Sequence, residues 1–464
     1  MKSMMMIIAI LASLIIVASM PYNVPLQGIQ GGKKTLVLLD DLGKIQTFSI
    51  FFDELKSRGH ILSFYQPESP ELKLKVFGES LYDNIVFFAP TSDRFSSISF
   101  EDIVEFSNEG GNILFAVNRE VSDSVRDLVE TFGFSLDKKG TEVLDHFNGV
   151  LSVDTSLQHS YVLSKNAVLS SSILGSYVTE IDSVAPVLFH GIGHSLDDKS
   201  VLAVKVLTGS ASTYSASANK PIGDFPESAG QHTLLVSAIQ ARNNARVVLS
   251  GSLDLFSNEL FRASLGPDDA LPGNELFCKE LSKWGFGERG VLRFSGITHF
   301  KSDGSPPDVI LHEKERPDLP LTLFPDPEIT RNSLVYRIKD EIVYTMYVQE
   351  FVDGEWKPFC ADDMQMEFVM MDPYVRRTMS CRDGRFTAAF VAPDSYGVFK
   401  FRVLYRRLGY SVLHAETQVS IRPFKHDEYE RFILSAYPYY SSAISAAVAF
   451  FVFSLCFFFS SDSK

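Results

Sequence analysis

The amino-acid sequence predicts a multidomain protein in which an N-terminal α/β domain and a later β-sandwich precede one C-terminal transmembrane helix. Residues 33–149 alternate strand and helix patterns, residues 328–424 carry repeated strand patterns, and residues 436–459 contain no charged side chain. Alternation is typical of a parallel sheet covered on both faces, and repeated short strands are typical of a sandwich. We therefore predict a doubly wound parallel α/β domain, a mixed middle domain over residues 150–327 and a membrane-proximal β-sandwich.

The N-terminus has the pattern of a secretory signal peptide. Met4 to Val17 is an apolar run between Lys2 and the small residue Ala18. About 14 helical residues rise roughly 21 Å, which is less than a hydrocarbon core of roughly 30 Å. We therefore predict a cleaved signal peptide over residues 1–20, with cleavage by residue 28 at the latest; a retained signal anchor is the alternative.

The strand and helix patterns of the α/β domain follow one another closely. Lys34–Asp40 is a continuous apolar strand, which is the pattern of a strand buried on both faces, and Thr47–Ser57 is an amphipathic helix that ends before Gly59. The remaining elements are strands at His60–Tyr65, Asn84–Phe88 and Asn112–Val117, and helices at Phe100–Glu109 and from the N-cap Ser122 to Phe132.

The two later domains are predicted from mixed patterns. In the middle domain, Val201–Leu207 and Arg246–Ser250 are strand-like, His232–Ala241 and Asn274–Trp284 are helical, and a proline-rich stretch covers residues 306–327. The β-sandwich rests on strands at Ile342–Phe351, Arg385–Ala392, Val398–Tyr405 and Val412–Ile421.

The uncharged run from Ala436 to Phe459 is predicted to cross a membrane. About 24 helical residues rise roughly 36 Å, enough to span a bilayer; a buried core helix is the alternative. A signal peptide followed by this span places the bulk of the chain in the lumen and residues 460–464 in the cytosol. Small residues let helix backbones approach closely, so we predict a packing face toward partner helices, with a generic lipid-facing span as the alternative. Its residues are Ser442, Ala443, Ala446 and Ala447.

Composition limits the class of protein. The 464 residues carry a formal net charge of −14, which argues against nucleic-acid binding because that function needs clustered lysine and arginine. Of four cysteines, Cys456 lies in the predicted span and Cys278, Cys360 and Cys381 precede it. An odd lumenal number leaves at least one thiol unpaired or paired with another chain. We predict a Cys360–Cys381 disulfide, because both residues fall in the predicted β-sandwich.

Two adjacent carboxylates, Asp40 and Asp41, end the first predicted strand, where an open α/β sheet binds ligands. Paired carboxylates can hold a divalent cation, but neighbouring side chains point in different directions, so solvation of a strand end is the commoner explanation. Neither a Gly-x-Gly-x-x-Gly nor a Walker pattern follows them. Glutamine-amidotransferase-like domains use a cysteine on a strand-to-helix elbow, whereas the first cysteine here, Cys278, lies far beyond this domain. The domain is therefore predicted to be amidotransferase-like without a nucleophile.

Two histidines in His190-Gly-Ile-Gly-His194 have the spacing of some zinc-binding pairs. Such pairs lie on one face of a helix, with a glutamate beside the first histidine. Two glycines make a helix unfavourable here and the glutamate is missing, so ordinary loop or strand histidines are the better interpretation. The Asp145-His146 pair gives no stronger signal. The residues therefore predict no catalytic, cofactor-binding or metal-binding site.

Four long segments resemble one protein family, and they occur in its order along nearly the whole mature chain. They are LLVSAIQARNNARVVLSGSLDLFSN from Leu234 to Asn258, KELSKWGFGERGVLR from Lys279 to Arg293, DDMQMEFVMMDPYVRR from Asp362 to Arg377 and RPFKHDEYERFILSAYPYY from Arg422 to Tyr440. The family is the non-catalytic 48 kDa subunit of eukaryotic oligosaccharyltransferase. Segments of this length and composition make chance agreement a poor explanation.

The resemblance implies a role in protein N-glycosylation, in which a complex transfers oligosaccharide from dolichyl diphosphate to asparagine. It implies that a multi-span partner subunit carries the catalytic residues, that this chain supports assembly and stability, and that it is a type I protein of the endoplasmic reticulum membrane. No catalytic residue and no cofactor carry over. Two other classes stay open on the residues alone: a membrane-tethered lumenal α/β hydrolase using Asp40, Asp41 or His194, and a single-span lumenal receptor that binds a ligand on the β-sandwich.

Overall fold

The structure is a computed structural model in which an α/β body and a β-sandwich follow each other along the chain. It describes residues 33–93, 95–150, 153, 158–168, 170–179, 185–196, 202–217, 225–265, 270–310, 333–352, 354–429 and 431–460. The predicted signal peptide, most of the proline-rich stretch and residues 461–464 of the predicted tail lie outside these ranges.

A mixed sheet forms the centre of the α/β body. Eight strands lie side by side in the order Asn166–Ala167, Ala203–Thr208, Leu234–Gln240, Arg246–Ser250, Asn112–Ala116, Asn84–Phe88, Lys34–Leu39 and Ile61–Tyr65. The last five run parallel to one another, whereas the first three join by antiparallel pairs. Two further strands, Phe134–Leu136 and His194–Leu196, extend the sheet beside Leu234–Gln240.

This sheet corrects the predicted boundary between residues 149 and 150. Strands as far along the chain as Arg246–Ser250 belong to the same sheet as Lys34–Leu39, and Leu234–Gln240 is antiparallel to both of its long neighbours. The four strands predicted within residues 33–149 are parallel to one another, but their sheet continues past residue 149 through antiparallel strands. Strand pairing is a non-local pattern of hydrogen bonds, so no local change in composition marks where the sheet ends.

Helices cover both faces of the parallel part of the sheet. Alternate residues of Lys34–Leu39 face two different apolar clusters, because successive side chains of a strand point to opposite faces. One cluster contains the apolar faces of helices Ser49–Ser57 and Asn274–Gly285; the other contains those of Phe100–Asn108 and Asp123–Thr131. Burial on both sides explains the continuous apolar sequence of these strands.

Shorter elements complete the α/β body. The predicted N-cap Ser122 is confirmed, because its hydroxyl accepts a hydrogen bond from the amide of Val125 and so satisfies a free donor of the first turn. The other short strands are Lys75–Val76, Glu79–Ser80, Glu142–Leu144, Val162–Ser164, Val187–Phe189 and Tyr214–Ala216. Short helical turns occur at Leu42–Phe48, Ser171–Leu174, Ser176–Thr179, Gly230–His232, Asp254–Phe256 and Asn258–Phe261.

The helix predicted at His232–Ala241 is wrong, because this segment forms the strand Leu234–Gln240. Its residues are almost all buried, since strands pair with it on both edges and cores cover it on both faces. A strand with two buried faces has no polar–apolar alternation, so a short apolar run does not distinguish it from a buried helix.

Two sheets form the β-sandwich around one apolar core, as is usual for this architecture. One contains Arg289–Lys301, Glu341–Val352, Glu355–Pro358, Ser380–Arg382 and Arg385–Val391. The other contains Asp308–Ile310, Ser333–Arg337, Gln365–Val369, Pro373–Thr378, Gly397–Tyr405 and Leu413–Arg422. The predicted start at residue 328 is wrong, because Arg289–Lys301 pairs along most of its length with Glu341–Val352.

A buried arginine joins the two bodies. Arg246 is 1% exposed, and its guanidinium donates hydrogen bonds to the carbonyl oxygens of Trp284, Arg289 and Gly290 at 2.5, 2.7 and 2.9 Å. It also lies 4.7 Å from the centroid of the Trp284 ring, whose indole donates to the carbonyl of Gly409 at 2.9 Å. Burial lowers the pKa of Arg246 to about 9, so the side chain stays charged at neutral pH.

Two glycines lie at the same junction. Gly290 and Gly409 have φ angles of +66° and +88°, a region that glycine adopts without steric cost. A Cβ on Gly290 would lie 2.2 Å from the carbonyl oxygen of Gly409, and a Cβ on Gly409 would lie 2.3 Å from Oγ of Ser172. Gly290 and Gly409 therefore pack backbone to backbone within the sandwich, and Gly409 also lies directly against Ser172 of the α/β body.

A disulfide joins Cys360 to Cys381 within the sandwich, with their Cα atoms 5.6 Å apart. This is the pair expected from the sequence. Of the other cysteines, Cys278 is buried in the α/β body, and Cys456 is exposed on the C-terminal helix. That helix, Tyr437–Phe459, continues the turn Leu434–Ala436, and together they are long and apolar enough to cross a membrane.

Two histidines, one in each body, have a lowered pKa. His194 is fully buried, with Nε2 at 2.5 Å from Oγ of Ser237. His299 packs 5.0 Å from the ring of Phe401, with Nδ1 at 2.7 Å from the hydroxyl of Tyr336. Burial lowers the pKa of His194 to about 3 and that of His299 to about 4, because an apolar environment disfavours the charged imidazolium.

Removal of the disulfide should destabilise the sandwich. We expect Cys360→Ser with Cys381→Ser to lower the free energy of unfolding by about 3 kcal/mol, because the bond closes a segment with a sequence separation of 21 and restricts the unfolded chain. Urea unfolding of the detergent-solubilised protein measures the change. Cys456→Ser serves as the control and should leave the midpoint in place; equal midpoints for the double variant and the parent would contradict the expectation.

Stability should fall below about pH 6.5, the unfolded pKa of histidine. Because the folded pKa values of His194 and His299 are lowered, the unfolded state binds more protons between pH 6.5 and pH 4, and stability decreases as the pH falls. The loss from pH 7 to pH 5 should be about 2 kcal/mol for each histidine. Urea unfolding of His194→Gln should show about half of the parent's total loss of stability between pH 7 and pH 5, whereas the exposed control His232→Gln should show all of it. A dependence of stability on pH in His194→Gln equal to that of the parent would refute the role assigned to His194.

Candidate functional site

The two carboxylates at the end of the first strand serve local structure. Asp41 Oδ1 accepts a hydrogen bond from the amide of Gly43 at 2.9 Å and so caps the following turn. Asp40 accepts from the hydroxyl of Ser92 at 3.3 Å and from the amide of Thr91 at 3.4 Å. The two side chains contact different loops. Within the described part of the chain, no group of three His, Cys, Asp or Glu residues is placed to hold a metal ion.

The histidines of the His190–His194 segment lie in different surroundings. His194 is buried in the sheet and neutral, with its pKa lowered by burial, so it is a poor proton acceptor for a substrate. His190 is partly exposed and stacks on Tyr161, with ring centroids 4.4 Å apart and planes 8° apart. Its Nδ1 lies 2.8 Å from Oδ2 of Asp254. The structure therefore separates the two histidines rather than bringing them to one site.

The Asp145-His146 pair also belongs to the framework. Asp145 accepts hydrogen bonds from the hydroxyls of Ser210, Ser212 and Thr213. Burial acts to raise its pKa, but these and other hydrogen bonds prevail and hold the pKa of Asp145 well below its usual range. Nε2 of His146 lies 2.8 Å from the hydroxyl of Tyr214. The Asp145 carboxylate thus fixes the loop at Ser210 to the end of the strand Glu142–Leu144, which directly precedes Asp145.

A polar cleft at the carboxyl ends of the parallel strands is the candidate functional site. It has a volume of about 380 Å³, and its lining includes Asn118, Arg119, Glu142, Tyr161, His190 and Asp254. Asn118 and Arg119 follow the strand Asn112–Ala116, and Asp254 follows its parallel neighbour Arg246–Ser250. Open α/β sheets bind ligands at this edge.

The cleft combines paired charges with an aromatic surface. Arg119 pairs with the buried carboxylate of Glu142, which raises the pKa of Arg119 by a hydrogen bond and by charge attraction. The Tyr161–His190 stack and the His190–Asp254 pair form the other wall. Among the hydrogen bonds of the described residues, the partner of the His190 ring is this carboxylate and not a hydroxyl or thiol. The groups suit the binding of a polar ligand better than nucleophilic catalysis.

Sequence reasoning found His190 but missed the residues around it. Arg119, Glu142, Tyr161 and Asp254 lie far apart along the chain and come together only through the sheet. One signal was available for Asp254, because polar residues that follow a predicted parallel strand lie at the ligand-binding edge. The predicted strand Arg246–Ser250 precedes it closely.

The proposed packing face of the C-terminal helix is uncovered by the rest of the described chain. Its small residues, at positions 442, 443, 446 and 447, are all exposed. Residues three and four apart lie on the same side of a helix, so the four side chains form one narrow surface on Tyr437–Phe459.

Two domains of one known protein family match almost the whole chain. The model described as OST48, N-terminal domain, matches residues 27–288, and that of the OST48 middle domain matches residues 326–461. A solved structure of a putative ThuA-like protein from Parabacteroides merdae covers 56% of this chain and 92% of its own, with a TM-score of 0.32 and 12% identity. That likeness is too weak to indicate a shared fold.

Three relatives carry the name dolichyl-diphosphooligosaccharide–protein glycosyltransferase 48 kDa subunit. The Drosophila melanogaster protein is 39% identical over 91% of this chain and 90% of its own length. The Danio rerio protein is 37% identical over 93% of both chains, and the Arabidopsis thaliana protein is 38% identical over 92% of both. With the matches of both family domains, these identities show that the chain belongs to the oligosaccharyltransferase 48 kDa subunit family.

Proposed function

We propose that this chain is a non-catalytic subunit that supports assembly and stability of oligosaccharyltransferase, the complex of protein N-glycosylation, from the lumenal side of the endoplasmic reticulum membrane. The single observation that carries the proposal is the identity of 37–39% with the 48 kDa subunit over more than nine-tenths of the chain. The partners are the other subunits, including a multi-span subunit that holds the catalytic residues.

The surroundings of the candidate acids and bases support a non-catalytic role. Asp40 and Asp41 are engaged by backbone amides and a hydroxyl, and His194 is buried beside Ser237. His190 is oriented by Asp254 but faces no nucleophile among its hydrogen-bonding partners. A hydrolase at these residues would need a group that attacks the substrate within hydrogen-bond reach of a base.

The disulfide supports a type I orientation. Disulfides persist in oxidising compartments such as the lumen of the endoplasmic reticulum, so the Cys360–Cys381 bond favours a lumenal sandwich. The sandwich precedes the apolar helix that ends at Phe459. The chain after that helix then lies on the cytosolic side, and the α/β body lies with the sandwich in the lumen.

The C-terminal helix supplies the second means of assembly. In a bilayer, helices associate by close packing rather than by a hydrophobic gain, and the small face at Ser442, Ala443, Ala446 and Ala447 allows such an approach. The exposed helix is therefore proposed to dock against spans of partner subunits, while the lumenal body contacts their lumenal parts.

Depletion of the protein should reduce N-glycosylation broadly and release other subunits from the complex, because an assembly subunit acts through its neighbours. Native gels of gently solubilised membranes measure the complex, and the mobility of secreted glycoproteins measures the activity. Re-expression of Asp40→Asn or of His190→Gln should restore both readouts. Restoration of the complex without glycosylation would instead favour an enzyme at these residues, and migration of the protein alone would contradict the proposal.

Leucine on the small face should weaken docking of the helix. We expect Ala443→Leu with Ala447→Leu to reduce co-purification of partner subunits in mild detergent, because larger side chains keep helix backbones apart. The matched control is Ser441→Leu with Ser445→Leu, which adds the same bulk about 200° around the helix. Equal co-purification of both double variants would remove this face from the proposal.

A further inference from the structure

The β-sandwich carries an exposed apolar patch at one end, which we term the tip patch and define as Met370, Met371, Tyr374, Tyr396 and Val398. Met371 is 90% exposed, Tyr396 is 69% exposed and Val398 is 51% exposed. Met370 and Met371 lie in the turn between the strands Gln365–Val369 and Pro373–Thr378. Single exposed apolar residues are common, but a contiguous group with two methionines and two tyrosines indicates a contact surface.

Strand register places the tip patch at the end where the chain leaves for the membrane. Gly397 pairs with Ile421 near the end of the last strand, and Val369 pairs with Lys400 on the strand between them. Because Val369 lies level with Lys400, the turn that follows it lies level with Gly397 and Ile421. Strands are spaced by about 4.8 Å, so the turn lies about 10 Å to the side of the departing chain.

The segment that leaves the sandwich is held against it for a further turn. Arg422 forms two hydrogen bonds with the carboxylate of Glu428, at 2.6 and 2.8 Å, and the rings of Phe424 and Tyr429 lie 5.4 Å apart. The hydrogen bond from Arg422 is the main cause that lowers the pKa of Glu428 to about 2, so this ion pair persists across the physiological pH range. These contacts hold the chain against the sandwich as far as Tyr429.

Little chain then remains before the membrane-spanning segment. The apolar helix and its preceding turn begin at Leu434, five residue steps after Tyr429. A fully extended chain advances at most about 3.6 Å per residue, so these steps span no more than about 18 Å. Phe432, Ile433 and Leu434 are 53–77% exposed, so the short connection presents apolar side chains outside the sandwich.

We propose that the tip patch lies in the headgroup layer of the same bilayer that the C-terminal helix crosses. The short tether keeps this end of the sandwich beside the membrane surface, and the patch is the apolar part of that end. Tyrosine suits the interface because its ring is apolar and its hydroxyl stays hydrated, and methionine adapts to disordered surroundings. Lipid contact therefore gives the lumenal body a second attachment, independent of the helix.

The test is lipid quenching of a fluorophore at position 371. Met371→Cys, in a Cys456→Ser background, is labelled with an environment-sensitive dye in the full-length protein within its complex. The complex is reconstituted into phosphatidylcholine nanodiscs with and without spin-labelled lipid. Of the native cysteines that remain, Cys278 is buried and the other two form the disulfide. Leu408→Cys is the matched control, because it is an exposed apolar position in the loop at the opposite end of the sandwich.

Loss of emission at position 371 with spin-labelled lipid, and no loss at position 408, is the expected result. Tyr396→Cys provides a second label position if Met371→Cys does not assemble, and it should be quenched in the same way. Emission that is unchanged by spin-labelled lipid would overturn the proposal. A blue-shifted but unquenched dye would also overturn it, because it would show a protein partner over the patch.

Discussion

The arrangement of this molecule depends on one buried charge. The guanidinium of Arg246 is removed from water and is compensated by three carbonyl oxygens and by the face of Trp284. A buried charge without such partners is costly, so the groups that satisfy it must stay together. They belong to the last helix of the α/β body and to the first strand of the sandwich. Arg246 therefore holds the first strand of the sandwich against the last helix of the α/β body.

Local regularities of the fold follow from the sequence, whereas its connections do not. Both ends of the strand Asn84–Phe88 are predicted correctly, because five residues suited to a β-strand lie between turn residues. Leu234–Gln240 has the same buried character, but its length and composition suit a helix equally well. It forms a strand because Ala203–Thr208 and Arg246–Ser250 pair with its two edges. The sequence contains both neighbouring strands but does not indicate this pairing.

The candidate site shows the same limit more sharply. His190 attracts notice through its spacing with His194, yet the structure gives it Tyr161 and Asp254 as partners instead. Arg246 is recognisable as a strand residue, but nothing in its neighbourhood indicates that its charge will be buried at a junction. The disulfide pair is the exception, because only three cysteines precede the span and two of them fall in one β domain.

The backbone contact between Gly290 and Gly409 has a mechanical consequence. Neither position has room for a side chain, since an added Cβ on Gly290 would meet the carbonyl oxygen of Gly409 and one on Gly409 would meet Ser172 of the α/β body. A residue larger than glycine at position 409 would therefore push the sandwich away from the α/β body and disturb the hydrogen bond between Trp284 and the Gly409 carbonyl.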